Sequence, residues 1–332
     1  MTEHRRGAGL VTRRAILAGA AAALVPAPAF GQAGAAPPRL GWISTEPERD
    51  PFVDGFREGM RRLGYTEGRD FVLELRYAPG NLDRLRAAVT ELISSRVAFI
   101  VASGPAVRAV KTVRDVPVLF VISGDPVALG IAATLARPGG NFTGFTFLSL
   151  EIAGKRVELL KQAIPPLRTL VALSNTDHPG EPAERRATEA AAQSLGLKLI
   201  YVPFGSVAEL DTALVAVRDA RPDGMVVFPD GSTMVSRAKI AGFAIGQKLP
   251  AVFGWSEFCD AGGLMSYGAN QRDTYVRLAG YADRVLRGAR PADLPIEQPT
   301  HFELVLNLRT ARLLGITVPP ALRLAAHRVI DS

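Results

Sequence analysis

The residues able to do chemistry gather where short apolar runs end. Ser44 and Thr45 close and follow RLGWIS, Ser103-Gly104-Pro105 close and follow AFIVAS, and Ser123-Gly124-Asp125-Pro126 close and follow VPVLFVIS. In the second half Ser174-Asn175-Thr176 close and follow TLVALSN, Pro229-Asp230-Gly231 close and follow GMVVFPD, and Trp255-Ser256-Glu257 close and follow PAVFGW. This set is small, polar and rich in hydroxyls, and it suits holding a small polar molecule. Ser103-Gly104-Pro105 opens a stretch with Val107, Val110 and Val113 at helical spacing. Free N–H groups there would hold a carboxylate, or the three residues form a plain N-cap with Pro in the first turn. Asp125, Asp230 and Glu257 each fit a partner for a ligand ammonium, or a cap or turn residue. Trp42, Phe145, Trp255 and Tyr267 offer an apolar wall, or belong to the core.

Residues for catalysis are missing from the pattern. The histidines beyond the N-terminal segment, His178, His301 and His327, stand in no metal-ligand spacing. No G-x-S-x-G elbow occurs, Gly154-Lys155 runs into Arg156 instead of Ser or Thr, and no G-x-G-x-x-G follows a candidate strand. A hydrolase or dehydrogenase would need residues this chain lacks, so neither a cofactor nor a metal is expected. The single cysteine, Cys259, excludes an internal disulfide and a Cys-based metal site.

The elements that must position the polar set alternate along the chain. Near-continuous apolar runs over 39–44, 71–77, 98–103 and 116–123, and again over 169–175, 197–204, 224–230 and 250–255, suit strands buried on both faces. Between them, Val53, Phe56, Met60 and Leu63 keep helical spacing before Gly64. Leu82, Leu85, Val89 and Leu92 follow Asn81 as N-cap, and Val207, Leu210, Leu214 and Val217 follow Ser206. Such alternation predicts doubly wound α/β layers. Two matched four-strand series predict two lobes; a single eight-unit barrel leaves 146–168 and 265–332 without a place. The tail carries a helix with Tyr275, Leu278, Ala282 and Val285 on one face, then the extended strap RPADLPIEQP, then HFELVLNL and a helix to Leu314. In open parallel sheets ligands sit beyond the carboxyl ends of the strands, so facing lobes would enclose their ligand between the two polar rims.

The N-terminus reads as an address. Arg13 and Arg14 precede an uncharged apolar stretch, Ala15–Val25, of 11 residues. That is short of the roughly 20 needed to cross a bilayer. Small residues and prolines follow, so residues 1–33 are expected to be a cleaved export signal of the twin-arginine type. Removing that segment takes away four arginines and Glu3 and leaves +4 of the formal +7. So small a surplus, with no long basic run, is no nucleic-acid footprint. The product is expected to be a soluble periplasmic monomer without a membrane span.

Several blocks carry a resemblance: LGWIS, GFREGMRRLGYTEGRD, GDPVALGIAATLARPGGNFTGFT, AGKRVELLKQAIP, EFCDAGGLMSYG and QPTHFELVLNLRTARLLGITVPPALR. Over roughly 38–330 the chain resembles the periplasmic substrate-binding proteins of ABC importers in the TrpX-like group. The resemblance implies a type I periplasmic-binding fold, with two Rossmann-like lobes, parallel central sheets and three crossing segments. Crossings are expected near 144–148, 264–268 and 296–300. The N-terminal lobe would then hold 38–146 plus about 268–296, and the C-terminal lobe 147–267 plus about 297–332. Thr146, in the first crossing, joins the candidate ligand set. The implied function is capture of a small polar ligand, an amino acid and in some members an aromatic one, for delivery to an ABC permease and ATPase. A protein serving a receptor instead of an importer, or an enzyme on the same scaffold, are the alternative readings.

Overall fold

Along β1 (Arg39–Ser44), Leu40 and Trp42 enter one apolar layer while Ile43 enters another. The same alternation runs through β3 (Phe99–Ser103), where Phe99 and Val101 part from Ile100 and Ala102. It continues through β4 (Val118–Ile122), where Leu119 and Val121 part from Val118, Phe120 and Ile122. Successive side chains of a strand point to opposite faces, so these strands are buried on both sides. In this computed structural model, which describes residues 36–46, 51–79, 81–147 and 150–331, they belong to a parallel five-stranded sheet. Its order is β2-β1-β3-β4-β5, with β2 at Val72–Tyr77 and β5 at Phe142–Thr146. The expected export segment, residues 1–33, lies outside the described residues.

A second sheet of seven strands has the order β12-β11-β10-β9-β8-β6-β7. Its members are β6 (Thr169–Asn175), β7 (Lys198–Phe204), β8 (Gly224–Val227), β9 (Ala251–Phe253), β10 (Met265–Gly268), β11 (Glu303–Asn307) and β12 (Arg328–Ile330). All its pairings are parallel except β10 with β11, so the second sheet is mixed where an all-parallel one is expected.

Helices cover both faces of each sheet. In chain order they are α1 (Pro51–Arg62), α2 (Leu82–Ser94), α3 (Val107–Val110), α4 (Leu150–Ala163), α5 (Glu181–Ser194) and α6 (Leu210–Asp219). They continue with α7 (Gly231–Val235), α8 (Arg237–Gly246), α9 (Glu257–Asp260), α10 (Gln271–Leu286), α11 (Leu308–Leu314) and α12 (Pro320–Ala325). Asn81 caps α2, its side chain accepting from the Arg84 N–H at 2.9 Å. Among the described residues no helix is long and apolar enough to cross a membrane.

The first sheet borrows a helix from late in the chain. α10 packs along α1, and the two backbones approach so closely that a Cβ on Gly59 would stand 2.4 Å from the Val276 carbonyl oxygen. Phe56 and Met60 of α1 join Tyr275 and Leu278 of α10 over Trp42. The chain therefore passes between the sheets three times: after β5, after β10, and between Glu297 and β11. Glu297 bridges Phe145 in parallel, which lays the third passage beside β5.

The segments 142–146 and 265–268 form strands before the chain crosses, the first at the edge of its sheet and the second between β9 and β11. Their apolar pattern is weak because each contains a glycine under close contact. A Cβ on Gly144 would stand 2.0 Å from the Phe120 oxygen, and one on Gly268 1.9 Å from the Gly254 oxygen.

Candidate functional site

The carboxyl ends of β1, β3 and β4 face those of β6, β8 and β9 across one crevice. Two adjoining spaces occupy it. The inner chamber is small, about 20 Å³, room for about one water. Phe52, Ser103, Ser123, Phe147 and Tyr275 wall it on one side, and His178, Asp230 and Trp255 on the other, with Gln271 at the start of α10. The outer cavity measures about 390 Å³ and lies between Thr45, Pro79 and Pro105 and the facing Asn175, Val207, Ala208 and Ser232. Consecutive residues, Gly104 with Pro105 and Gly231 with Ser232, line one space and then the other. At the rim Arg108 pairs with Asp177 across the crevice at 3.0 Å.

Asp230 is the most perturbed acid in the chamber. It is the N-cap of α7, where its Oδ1 accepts from the Thr233 N–H at 2.9 Å and the Thr233 hydroxyl accepts from the Asp230 N–H at 3.1 Å. Its Oδ2 is buried with no hydrogen-bond partner among the described residues. Burial pushes its pKa up to about 7, against the opposing pull of the Thr233 and Ser232 N–H groups and the Asn175 amide. Gln271, 5% exposed, likewise keeps Nε2 without a partner among the described residues. An acceptor and a donor thus stand unsatisfied in one buried chamber, and such groups cost free energy until something pairs with them.

His178 is neutral there. Burial lowers its pKa to about 4, and its Nδ1 accepts from the Gly180 N–H at 2.9 Å, which leaves the proton on Nε2. The rings of Phe52, Trp255, Phe147 and Tyr275 interlock. Phe52 meets Trp255 edge-on at 6.3 Å, Phe147 meets Trp255 at 6.0 Å, and the Tyr275 hydroxyl lies 2.5 Å from that of Ser103.

The structure brings Ser103, Gly104, Ser123, Asp230 and Trp255 to the inner chamber, and Thr45, Pro105 and Asn175 to the outer cavity. Ser44 is buried, its Oγ accepting from the Glu46 N–H at 3.1 Å. Thr146 is buried and donates to the Gly124 carbonyl at 2.8 Å. Asp125 is exposed, and its Oδ1 closes a local turn by accepting from the Val127 N–H at 2.8 Å. Glu257 begins α9 away from either wall, with burial pushing its carboxyl up. Tyr267 turns to the outer layer of the second sheet, its ring beside Phe302 at 6.3 Å. Trp42 is fully buried among Phe56 and Tyr275.

The helix after Ser103 differs from expectation. Gly104–Ala106 form a 3-10 turn, Gly104 with φ +52, and α3 spans only 107–110. Four residues align few peptide dipoles, so the anion-holding power expected there is slight. Phe52, Phe147, Gln271 and Tyr275 were absent from the expected set. Three of them ride on α1 and α10, where helical spacing marks Phe52 and Tyr275 as core and gives no sign for the polar Gln271, and the packing of those two helices turns all three toward the crevice.

Among the described residues, no group of three or more His, Cys, Asp or Glu side chains could hold a metal ion.

The family model described as ABC transporter substrate binding protein matches residues 42–330. A curated relative, the tyrosine-binding protein of Clostridioides difficile (strain R20291), is 20% identical over 273 residues, 81% of this chain and 78% of that one. A solved structure from Streptococcus pneumonia, an ABC domain in complex with L-Trp, is similar with a TM-score of 0.79 at 23% identity, covering 89% of this chain and 100% of its own. A conserved domain protein from Vibrio cholerae is similar with a TM-score of 0.80 at 22% identity, again covering 89% and 100%. These likenesses fix the fold as that of the type I periplasmic-binding proteins: two α/β lobes about a crevice. With a family match running from β1 through β12, the chain belongs to the ABC transporter substrate-binding protein family.

Proposed function

We propose that the crevice captures an amino acid with a large apolar, aromatic side chain and that the protein delivers it to an ABC permease and ATPase. The observation that carries this reading is the set of unsatisfied buried groups in one chamber, Asp230 Oδ2 as acceptor with Gln271 Nε2 and His178 Nε2 as donors. A zwitterion supplies both kinds of counterpart. Its ammonium donates to Asp230 and lies against the faces of Phe52 and Trp255, where a cation gains from the ring quadrupoles. Its carboxylate accepts from Gln271. The chamber, with room for about one water, widens to take the charged head, and the side chain extends into the outer cavity, whose Pro79, Pro105, Val207 and Ala208 supply apolar walls. The names of the relatives, one binding tyrosine and one in complex with L-Trp, support the same class.

In this reading residues 38–146 with about 268–296 form one lobe and 147–267 with about 297–332 the other, and the ligand closes them by binding the shut form better than the open one. The protein works as an exported monomer, its first 33 residues the signal, and catalyses no reaction. Thermal melts against L-tryptophan, L-tyrosine, L-phenylalanine, glycine and 3-indolepropionate test it. The aromatic amino acids are expected to raise the melting temperature by several degrees, since a ligand of the native state stabilises it. Indolepropionate, lacking the ammonium, is expected to leave it unchanged. Flat curves for all the amino acids would overturn the reading.

A further inference from the structure

The two sides of the crevice meet at points where only a hydrogen atom fits. Gly180, the N-cap of α5, has φ −89 and ψ −6, an ordinary right-handed backbone open to any residue. A Cβ on it would stand 2.1 Å from the carbonyl oxygen of Ser123 and 2.7 Å from its carbon, both across the crevice, and 2.8 Å from Cε1 of His178 in its own loop. Gly231, which opens α7, is likewise absent from the left-handed glycines. A Cβ on it would stand 1.8 Å from Oε1 and 2.7 Å from Cδ of Glu46, which is 2% exposed in the loop after β1. Ordinary nonbonded contact between carbons begins at about 3.5 Å. Neither backbone needs glycine for its own conformation; the facing side of the crevice demands it.

We propose that Gly180 and Gly231 are closure seats, glycine so that Ser123 and Glu46 can settle onto the opposite backbone, and that any side chain there wedges the crevice ajar and weakens ligand capture. The inference rests on reading the crevice as the ligand site. If the ligand-competent form is the shut one, apparent affinity falls by the same factor as the shut population. The two seats differ in what they receive. At Gly180 the obstacle is a backbone oxygen that moves only with its sheet, whereas at Gly231 it is the end of one side chain. Truncating Glu46 therefore relieves a wedge at 231 and leaves one at 180 in place.

Closing is read without ligand by a short bis-maleimide joining Arg108→Cys to Asp177→Cys, positions that pair across the rim at 3.0 Å. Cys259 is fully buried and does not compete for the reagent. In that background Gly180→Ala and Gly231→Ala are expected to keep the wild-type far-UV spectrum and to cross-link at least tenfold more slowly. On the native rim both are expected to bind L-tryptophan or L-tyrosine at least tenfold more weakly by calorimetry. Adding Glu46→Ala to Gly231→Ala brings cross-linking within threefold of Glu46→Ala alone; adding it to Gly180→Ala leaves the rate slow. Gly242→Ala on α8, where a Cβ meets nothing within 4 Å, behaves as wild type. Cross-linking at the wild-type rate in both alanine variants overturns the proposal. A wild-type protein that ignores the amino acids refutes the ligand reading alone, because the cross-linking rates still judge the seats.

Discussion

Phe52 and Tyr275 lie ring on ring, their centroids 4.9 Å apart and their planes within 3° of parallel. The first belongs to the opening turn of α1 and the second to the opening turns of α10, more than two hundred residues later. Their stack ties the starts of the two helices together, and with them the wall of the inner chamber. Tyr275 carries the arrangement to Ser103 through its hydroxyl, so the rim of β3 and the two helix starts form one unit.

Asp230→Asn tests the ammonium partner. Asn caps a helix about as well as Asp, so the fold of α7 is kept. A hydrogen bond to a charged group is lost, expected to weaken binding of L-tryptophan by about 2 kcal/mol, roughly thirtyfold. The native pKa of about 7 lies above the ordinary carboxylate value of 3.8, so the unbound wild-type protein loses stability as pH rises between these values. The variant is expected to escape that loss and to be no less stable at pH 8 in denaturant titrations. Below pH 7 binding of an ammonium must expel the Asp230 proton, so wild-type affinity is expected to fall by up to about tenfold per pH unit. Calorimetry of the variant should show no such slope.

Trp255 should report occupancy. Of the two tryptophans, Trp42 is sealed in the core and Trp255 walls the chamber. Addition of L-phenylalanine, which scarcely absorbs at the excitation wavelength, is expected to shift the emission of the wild type. Trp255→Phe should abolish the shift; a shift that survives would place the ligand elsewhere.

Arg156 supports the site from behind. Fully buried, it donates to the Tyr267 carbonyl at 2.8 Å just before the second passage between sheets, and its charge pulls against the burial that lifts Glu184 to about 7. Arg156→Met leaves Glu184 without that compensation and is expected to cost about 3 kcal/mol at pH 8. At pH 6 Glu184 takes up a proton in the native state, so the cost should be smaller. Urea titrations at the two pH values check the difference.

Gly59→Ala tests the seam between α1 and α10. The added methyl would meet both the Val276 oxygen and the Ala279 side chain, at 2.4 and 2.6 Å. Overpacking of this kind is expected to cost about 1–3 kcal/mol in chemical denaturation.

Much of the architecture was legible because parallel sheets buried on both faces leave continuous apolar runs. β1, β6 and the cap at Asn81 stand where the sequence places them. β5 and β10 were hidden because Gly144 and Gly268 break the apolar pattern, and the need for glycine at each comes from a close carbonyl, that of Phe120 on β4 and that of Gly254 just past β9. Several hydroxyls at strand ends and Asp230 could be read directly, whereas Asp125 and Glu257, alike in sequence, line neither space. Of the chamber's rings, Trp255 could be read at its strand end, but Phe52 and Tyr275 could not, because they obey the same helical periodicity as residues that face the sheet. Their second allegiance is set by a helix-to-helix contact between distant parts of the chain.

The late arrival of α10 governs how this molecule can assemble. As the chain emerges from the ribosome, β1 to β5 can pair early, yet the layer holding Trp42, Phe56 and Met60 stays uncovered until residues 271–286 have been made. The first sheet is thus completed almost last, and a fragment ending near residue 146 would carry an open greasy face that invites aggregation or a chaperone.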